Sequence, residues 1–306
     1  MKILVTGGAG FIGSQIVDSY IDSGHDVVIL DNLSSGKKEF INKKARFYYL
    51  DILDKKLEKI FEKENFDVVN HHAAQMNVRR SVEDPLYDSK INILGTLNIL
   101  ENCLKYNIKK IIFASSGGAV YGDQKIYPIK EEFERKPNSP YGMSKKFCED
   151  YLSYFNRNYG LKFVSLRYPN VYGPRQNPYG EAGVVSVFLS LLIKGNNVTI
   201  YGDGEQIRDY IFINDVVAAN NFALHKGKND FINIGTGVPI SVNEIYKKLK
   251  TITNSKGKTT HVKKKVGDVL INYLNSEKAK KILGWEPKVS IDEGLRLTYK
   301  WFESNL

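Results

Sequence analysis

Short apolar runs alternate with longer amphipathic stretches along the first part of this chain, up to Pro169. The apolar runs predict strands, and most of them are continuous rather than alternating, which is typical of parallel strands covered by helices on both faces. These runs cover residues 3–5, 27–30, 47–50, 68–70, 111–114 and 163–167. The stretches between them predict helices over residues 12–23, 55–64, 85–106 and 141–158. Such alternation predicts the α/β class, with a doubly wound parallel sheet.

The regular alternation stops after Pro169. The later segments predict helices over residues 184–194, 214–225, 242–250 and 293–302, and strands over 198–201 and 231–234. We therefore expect two domains: residues 1–169 with 210–237, and a smaller C-terminal α/β domain of residues 170–209 with 238–306. Ligands of open α/β sheets bind at the carboxyl edge of the sheet. The cleft between that edge and the second domain is therefore the predicted site.

The composition of the 306 residues, with 42% hydrophobic and 25% charged side chains, is ordinary for a globular protein. No run of apolar residues is long enough to predict a membrane-spanning helix. The apolar N-terminal stretch is short and interrupted by glycines, which argues against a signal peptide. The two cysteines, Cys103 and Cys148, lie in predicted helices without metal-ligand spacing, which predicts free thiols in a cytoplasmic protein.

The net charge of +10 arises from 44 lysines and arginines against 34 acidic residues. A basic balance is typical of nucleic-acid-binding proteins, but here the lysines are scattered along the chain and no nucleic-acid motif occurs. The distribution therefore favours a solvated, lysine-rich surface with no nucleic-acid partner. A mildly positive field would also attract an anionic nucleotide substrate.

Three glycines follow the first predicted strand at the spacing of a dinucleotide site: Gly7, Gly10 and Gly13. Glycines let the backbone turn tightly and approach phosphates, and the helix that follows offers free N–H groups and the positive end of its dipole. Asp31 ends the second predicted strand, where an acid accepts both hydroxyls of an adenosine ribose. These features predict a Rossmann-type domain that binds NAD, because Asp31 would repel the 2′-phosphate of NADP.

Tyr141 and Lys145 are four residues apart on a predicted helix, so their side chains share one face. A neighbouring ammonium, or a positively charged nicotinamide ring, favours the phenolate form of a tyrosine, which normally titrates near pH ~10. The pair therefore predicts an acid–base group for an alcohol or sugar hydroxyl. Ser115 and Ser116 end the fifth predicted strand, and a serine there can share a hydrogen bond with the same hydroxyl. The Tyr–Lys spacing is also typical of a solvated helix face, and the dinucleotide motif favours the catalytic interpretation.

Seven segments of the chain resemble the extended short-chain dehydrogenase/reductases, and within them the NAD-dependent epimerase/dehydratase family. They are 6–13 (TGGAGFIG), 31–33 (DNL), 72–75 (HAAQ), 115–122 (SSGGAVYG), 141–145 (YGMSK), 167–174 (RYPNVYGP) and 202–210 (GDGEQIRDY). The resemblance spans nearly the whole chain and implies a nucleotide-sugar 4-epimerase with NAD as cofactor. It also implies that the catalytic residues are Ser116, Tyr141 and Lys145, and it is the reason for preferring Ser116 to Ser115.

The same resemblance assigns the cofactor contacts. Contacts to the pyrophosphate are implied for Gly7, Gly10, Phe11, Ile12 and Gly13, to the adenosine ribose for Asp31 and Asn32, and to adenine for Asp51 and Ile52. Contacts around the nicotinamide half are implied for Ala73, Ala74, Asn92 and Tyr168, together with Tyr141 and Lys145. Ser35, Gly36 and Gln75 complete the implied cofactor set.

The resemblance also assigns contacts to the UDP-sugar. The UDP moiety is implied to bind Asn170, Val184, Tyr201 and Arg208. The rest of the implied substrate set is Gln75, Ser116, Tyr141, Thr199, Lys265 and Asp268. Arg208 would face the diphosphate, because a guanidinium fork suits phosphate oxygens. Lys265 replaces the usual arginine and would bind phosphate only as a point charge. In the resemblance, Asn272 lies at the position that sets the room for an N-acetyl group, and a side chain smaller than tyrosine there implies space for N-acetylated sugars.

His71 and His72 lack metal-ligand spacing, so no metal is expected.

The implied function is interconversion of UDP-glucose and UDP-galactose through a transient 4-keto sugar. UDP-N-acetylglucosamine or UDP-glucuronate as substrate remain alternatives, and a non-catalytic NAD sensor on the same fold is a further one. Gly117, Gly118 and Ala119 follow the catalytic serine, so the acid that a dehydratase or decarboxylase needs there is missing. The resemblance further implies a homodimer formed through the helices near residues 85–106 and 141–158.

Overall fold

The structure, a computed structural model, describes residues 1–179, 183–263 and 269–306. The strands in these ranges are β1 (Lys2–Thr6), β2 (Asp26–Asp31), β3 (Arg46–Tyr49), β4 (Val68–His71), β5 (Lys110–Ser116), β6 (Phe163–Tyr168), β7 (Asn170–Tyr172), β8 (Val198–Tyr201), β9 (Ile207–Arg208), β10 (Tyr210–Phe212), β11 (Asp230–Asn233), β12 (Ile240–Ser241), β13 (Thr259–Val262) and β14 (Ile271–Asn272).

The helices are α1 (Phe11–Asp22), α2 (Leu57–Glu64), α3 (Val78–Glu83), α4 (Pro85–Ser89), α5 (Gly95–Lys105), α6 (Pro140–Tyr159), α7 (Val184–Ile193), α8 (Ile213–His225), α9 (Val242–Thr253), α10 (Glu277–Leu283) and α11 (Ile291–Asn305). A 3₁₀ turn covers Lys38–Phe40, and a π-helical turn, Lys90–Leu94, joins α4 to α5. None of the helices in the described residues combines the length and apolarity needed to cross a bilayer.

Seven parallel strands form the central sheet in the order β11-β6-β5-β4-β1-β2-β3. From β1 the chain adds β2 and β3 on one side and then β4, β5, β6 and β11 on the other. The change of direction falls between β1 and β4, which pair in parallel. At such a switch point the loops leaving the two carboxyl ends go to opposite faces of the sheet and open a crevice. The predicted Rossmann-type doubly wound sheet is therefore confirmed.

Both faces of this sheet are buried, which explains why its strands are continuously apolar. Alternate residues of a strand point to opposite faces. Ile3 and Val5 of β1 pack in the core that includes α1 and α8, whereas Leu4 packs in the core that includes α2, α5 and α6. Cys103 and Cys148 are buried in the second of these cores as free thiols.

The later segments form three small sheets. β8 pairs with β13, β9 pairs with both β12 and β14, and β7 pairs with β10. The last of these pairs joins residues from both predicted domains, because β7 lies in the range 170–209 and β10 in the range 210–237.

The structure differs from the predicted elements in two places near the site. The helix predicted over residues 85–106 is divided into α4 and α5 by the π-helical turn, which a regular apolar period does not reveal. α3 lies where we predicted no element, and the Asn77 side chain caps it by accepting a hydrogen bond from the N–H of Arg80 at 2.6 Å. The sequence also does not predict several short elements. Five strands have only two or three residues, too few to show a period: β7, β9, β10, β12 and β14. Neither β13 nor α10, of four and seven residues, was predicted.

Candidate active site

The loop after β1 forms a tight cradle at the start of α1. Gly7 has a φ of +70°, and a Cβ on it would lie 2.7 Å from the backbone nitrogen of Ala73. A Cβ on Gly13 would lie 2.2 Å from the Gly7 carbonyl oxygen, so only glycine allows this approach. Gly10 precedes α1 without a side-chain cap, and the first turn consists of Phe11, Ile12 and Gly13. The N–H groups of that turn have no partner within the helix and fit a diphosphate.

Asp31 ends β2 beside this cradle, and its side chain is buried. Its carboxylate accepts hydrogen bonds from the N–H of Ala9 at 3.0 Å and from the N–H of Leu33 at 2.7 Å. Burial raises the pKa of Asp31, and these two hydrogen bonds oppose the rise. A Cβ on Gly36 would lie 2.9 Å from the Asp31 carboxylate, so a larger residue would crowd these oxygens. The remaining lone pairs fit the two hydroxyls of a ribose.

The loops after β2 and β3 meet beside Asp31. Asn32 donates a hydrogen bond from Nδ2 to Asp51 Oδ2 at 2.7 Å. Ile52 is buried, and a Cβ on Gly95 of α5 would lie 2.4 Å from its Cδ1 atom. Ser35 is exposed on the loop that follows β2. The structure thus brings together the loops that the sequence implies for the adenosine half of NAD.

Replacing Asp31 with alanine is expected to weaken NAD binding at least about 10-fold to 100-fold, because even one hydrogen bond to a charged group contributes about 1.5–3 kcal/mol. Asp26→Ala, at the exposed start of the same strand, is the matched control and should leave the affinity unchanged. Calorimetric titration of the nucleotide-free protein with NAD measures both values. Equal affinities for Asp31→Ala and the parent protein would exclude the ribose role.

α6 carries the predicted catalytic pair at its N-terminal end. Pro140 begins this helix, and the Ser139 hydroxyl accepts a hydrogen bond from the N–H of Gly142 at 3.2 Å. Both features define the helix start. The ammonium of Lys145 lies 5.9 Å from the centre of the Tyr141 ring, so the two side chains occupy one face as the spacing predicts.

Ser116, at the end of β5, is the side chain that interacts with the Tyr141 hydroxyl and lowers its pKa. Ser115 points to the opposite side of that strand, and within the described ranges its buried hydroxyl has no hydrogen-bond partner. The geometry therefore pairs Ser116, rather than Ser115, with Tyr141. Lys145 is also buried, and its ammonium donates a hydrogen bond to the Ala114 carbonyl at 2.9 Å.

Burial controls the charge states of this pair. It raises the pKa of Tyr141 to about 12, and the Ser116 side chain opposes the rise. Burial lowers the pKa of Lys145, and the nearby Cys148 and two carboxylates oppose that change. The expected bias towards the phenolate is therefore not produced by the protein groups alone, since desolvation outweighs the other effects. A positively charged nicotinamide beside the phenol would favour the phenolate.

A reciprocal pair of hydrogen bonds joins the π-helical turn to the segment that follows β4. The N–H of Gln75 donates to Asn92 Oδ1 at 2.8 Å, and Asn92 Nδ2 donates to the Gln75 carbonyl at 2.9 Å. Ala73 and Ala74 precede Gln75 and are half-buried, and the N–H of Ala73 bonds to Thr6 at the end of β1. π-Helical turns often mark functional sites, so these residues suit the implied nicotinamide end.

Tyr168 ends β6 directly beside Ser116 in the register of the sheet. Its hydroxyl accepts a hydrogen bond from Asn220 Nδ2 at 2.8 Å and lies 3.3 Å from His72 Nε2. Burial lowers the pKa of both His71 and His72 to about 3, so both rings are neutral at physiological pH. Within the ranges that the structure describes, no three histidine, cysteine or acidic side chains group as metal ligands would.

The residues implied for UDP lie on the small sheets and the elements around them. Asn170 of β7 donates from Nδ2 to the Asp209 carbonyl at 3.3 Å. Thr199 and Tyr201 lie on the exposed side of β8, and the Arg79 guanidinium of α3 lies 5.7 Å from the centre of the Tyr201 ring. The central-sheet half and the small-sheet half therefore meet at Tyr201.

Arg208 lies on β9, and its guanidinium donates to the Ile207 carbonyl at 2.8 Å. Val184 begins α7. Lys265 and Asp268 lie outside the described residues.

Two buried carboxylates near the site were missed by the sequence reasoning. Asp209 accepts hydrogen bonds from the N–H groups of Thr236, Gly237 and Leu274, and so joins three segments beside β9. Asp88, at the end of α4, has no exposed surface. For both Asp209 and Asp88, the sequence shows an acid inside an otherwise amphipathic stretch. That pattern does not distinguish a buried acid from a solvated one.

Comparisons with known proteins agree with this geometry. The model of the NAD dependent epimerase/dehydratase family matches residues 3–235. A solved UDP-glucose 4-epimerase with UDP-glucose from Thermotoga maritima is 50% identical, covers 99% of each chain and has a TM-score of 0.98. A UDP-glucose 4-epimerase complex with NAD from Thermus thermophilus is 42% identical, covers 100% of each chain and has a TM-score of 0.96. A UDP-N-acetylglucosamine 4-epimerase from Methanobrevibacter ruminantium, in complex with UDP-N-acetylmuramic acid, is 38% identical, covers 100% of this chain and 99% of that one, and has a TM-score of 0.95.

Proposed function

Because this chain belongs to the NAD dependent epimerase/dehydratase family, we propose that it is an NAD-dependent UDP-glucose 4-epimerase, an isomerase that interconverts UDP-glucose and UDP-galactose. The observation that carries this function is the half-buried Tyr141 phenol, which the Ser116 side chain influences and which lies on the same helix face as Lys145. The glycine cradle and the Asp31 carboxylate lie at the same edge of the sheet and suit NAD.

Tyr141 is the acid–base group of the proposed reaction. It takes the proton of the sugar 4-hydroxyl and later returns it, and Ser116 shares the hydrogen bond with that hydroxyl. The phenolate that accepts the proton would be favoured by a positively charged nicotinamide together with Lys145, against the burial that raises the pKa of Tyr141. Bound NAD supplies the acceptor and donor of the hydride at carbon 4. Proton and hydride both return to the sugar, so the reaction causes no net oxidation and the protein retains its cofactor.

The nucleotide stays anchored while the 4-keto sugar turns over between its two faces. We assign the anchoring to Asn170, Val184, Thr199, Tyr201 and Arg208. Thr199 and Tyr201 present their side chains on an exposed strand face, and the Arg208 guanidinium provides the fork geometry that a diphosphate needs. Gln75 would contact both sugar and cofactor, since it lies between β4 and the π-helical turn.

The test of this function is incubation of the NAD-loaded protein with UDP-glucose, followed by NMR detection of UDP-galactose. We expect both sugars at equilibrium, with a small transient NADH absorbance and no net oxidation. A non-catalytic NAD sensor would give neither product nor spectral change.

UDP-N-acetylglucosamine is a second candidate substrate, and the side chain of Asn272 is the observation that favours it. Asn272 of β14 is buried and donates from Nδ2 to the Gly117 carbonyl at 3.2 Å, directly beyond the catalytic serine. A short side chain there leaves room for an acetamido group. The same NMR assay with UDP-N-acetylglucosamine and with UDP-glucuronate ranks the three sugars by kcat/KM.

We also propose a homodimer in which α5 and α6 of one subunit pack on those of its partner. α6 presents large apolar side chains at near-helical spacing, and these are 37–43% exposed: Met143, Phe147, Tyr151 and Tyr154. Leu94, at the end of the π-helical turn, is 54% exposed and extends this apolar surface. A continuous apolar helix face on a globular chain is typical of a subunit interface.

Phe147→Glu is expected to convert the dimer to a monomer, because the substitution buries an unpaired charge in the proposed interface. Leu297→Glu on α11 is the matched control, since Leu297 is 37% exposed and lies far from this face in the chain. Light scattering after size-exclusion chromatography gives the masses. A dimeric Phe147→Glu variant, or a monomeric parent protein, would refute the proposed interface.

A cytoplasmic location is part of the proposal, because Cys103 and Cys148 are buried free thiols rather than a disulfide. The proposed division of the chain is residues 1–169 with 210–237 for NAD and 170–209 with 238–306 for the nucleotide sugar. It is supported by the glycine cradle in the first part and by two small sheets in the second, β8–β13 and β12–β9–β14.

A further inference from the structure

Asp88 is a fully buried carboxylate close to the proposed catalytic helix. It accepts three side-chain hydrogen bonds: from Gln75 Nε2 at 2.8 Å, from Asn92 Nδ2 at 3.0 Å and from Ser144 Oγ at 2.5 Å. The three donors belong to three separate elements, namely the segment after β4, the π-helical turn and α6. Asp88 is therefore the point at which these elements are joined.

The surroundings of Asp88 are unusual for a buried acid. No lysine, arginine or histidine within the described ranges forms an ion pair with it. Burying a carboxylate is costly without a cation or a full set of donors, and here neutral donors supply the set. An apolar residue at this position would leave Gln75, Asn92 and Ser144 without the acceptor that they share.

Ser144 connects this acid to the reacting groups. It is the residue before Lys145 and follows Tyr141 by three positions, so its hydroxyl ties the turn that carries both side chains. Gln75 and Asn92 are also bonded to each other through the reciprocal pair described above. One carboxylate thus holds the acid–base turn of α6 against the segment implied to flank the nicotinamide.

We propose that Asp88 is a positioning residue for the epimerisation, which fixes the Tyr141–Lys145 turn relative to the Gln75–Asn92 pair. This inference rests on the proposed function. A displacement of about 1 Å in a reacting group lowers rates by about 100-fold. Loss of the hydrogen bonds to Asp88 should therefore lower the rate of the chemical step. The residues assigned to UDP lie on other elements, so nucleotide binding should be unaffected. The negative charge also opposes the lowering of the Lys145 pKa by burial.

The test compares Asp88→Asn, Ser144→Ala and the double variant, each as NAD-loaded protein with UDP-glucose. We expect kcat per folded protein to fall about 100-fold in each single variant, with KM changed by less than about threefold. The double variant should be no slower than Asp88→Asn, because both changes break the same link. Asp84→Asn is the matched control. Asp84 is exposed on the same helix and caps it through the N–H of Tyr87, a role that asparagine fills equally well.

Amide hydrogen exchange gives a readout besides activity. Exchange over the first three turns of α6 should increase at least about tenfold in Asp88→Asn and Ser144→Ala but not in Asp84→Asn. If Asp88→Asn does not fold, Ser144→Ala still decides the matter, because alanine favours the helix and leaves the carboxylate in place. A kcat within twofold of the parent, a loss confined to KM, or multiplicative effects in the double variant would overturn the proposal. A parent protein inactive on every UDP-sugar would instead refute the proposed function.

Discussion

Tyr141→Phe is expected to lower kcat by about 1,000-fold while NAD remains bound, because a positioned acid–base group contributes about 10²–10⁴-fold to such reactions. The substitution removes only the hydroxyl, with which the Ser116 side chain interacts, and leaves the ring beside Lys145. The measurement is kcat for UDP-glucose, with bound NAD quantified after denaturation of the protein. The KM should change little, since Tyr141 is not among the residues assigned to the nucleotide.

The matched control for this variant is Tyr154→Phe on the same helix, where the tyrosine is 43% exposed. Its kcat should equal that of the parent, with any change confined to the dimer interface. More than one-tenth of the parent kcat in Tyr141→Phe would assign the proton transfer to another group.

Glu149→Gln is expected to reduce the free energy of unfolding by about 3–5 kcal/mol, because it leaves a buried guanidinium without its counter-charge. Arg167 and Glu149 are 2% and 0% exposed, and two of their donor–acceptor pairs lie at 2.7 and 2.8 Å. Glu149 also accepts hydrogen bonds from Arg135 at 2.9 Å and from Ser165 at 3.0 Å. It therefore links α6 to β6 behind the catalytic face.

Asp150→Asn provides the control for Glu149→Gln, since Asp150 is the next residue of α6 and pairs with the same Arg135 at 2.5 Å. Asp150 is 43% exposed, so its loss should cost less than about 1 kcal/mol. Urea unfolding at a fixed excess of NAD measures both variants. A loss below about 1 kcal/mol for Glu149→Gln would show that the buried ion pair does not stabilise the fold as its geometry indicates.

The central sheet was predictable because its strands are buried on both faces. A residue such as Leu4 must be apolar whichever way it points, so β1 appears as a continuous run. The glycine cradle was predictable for a steric reason, since Gly13 approaches the Gly7 carbonyl too closely for any side chain. Likewise, the shared face of Tyr141 and Lys145 follows from helical spacing alone.

The rest of the site depends on tertiary contacts that leave no local pattern. The π-helical turn around Asn92 is stabilised by hydrogen bonds to Gln75, which is distant in the chain, and to Asp88, which lies one turn earlier. Burial raises the pKa of Tyr141, and the spacing of a tyrosine and a lysine on a helix does not reveal that burial. Spacing alone does not distinguish Ser116 from Ser115. The resemblance favours Ser116, and in the structure Ser116 is the one of the two whose side chain influences Tyr141.

The central claim is that hydride leaves carbon 4 of the sugar and returns to it while Tyr141 handles the proton. UDP-glucose labelled with deuterium at carbon 4 tests it most directly when it is incubated with the NAD-loaded protein in ordinary water. The account predicts that NMR and mass spectrometry will find UDP-galactose with its deuterium still at carbon 4. Product that has exchanged the label with water, or no C4 epimer at all, would contradict the account.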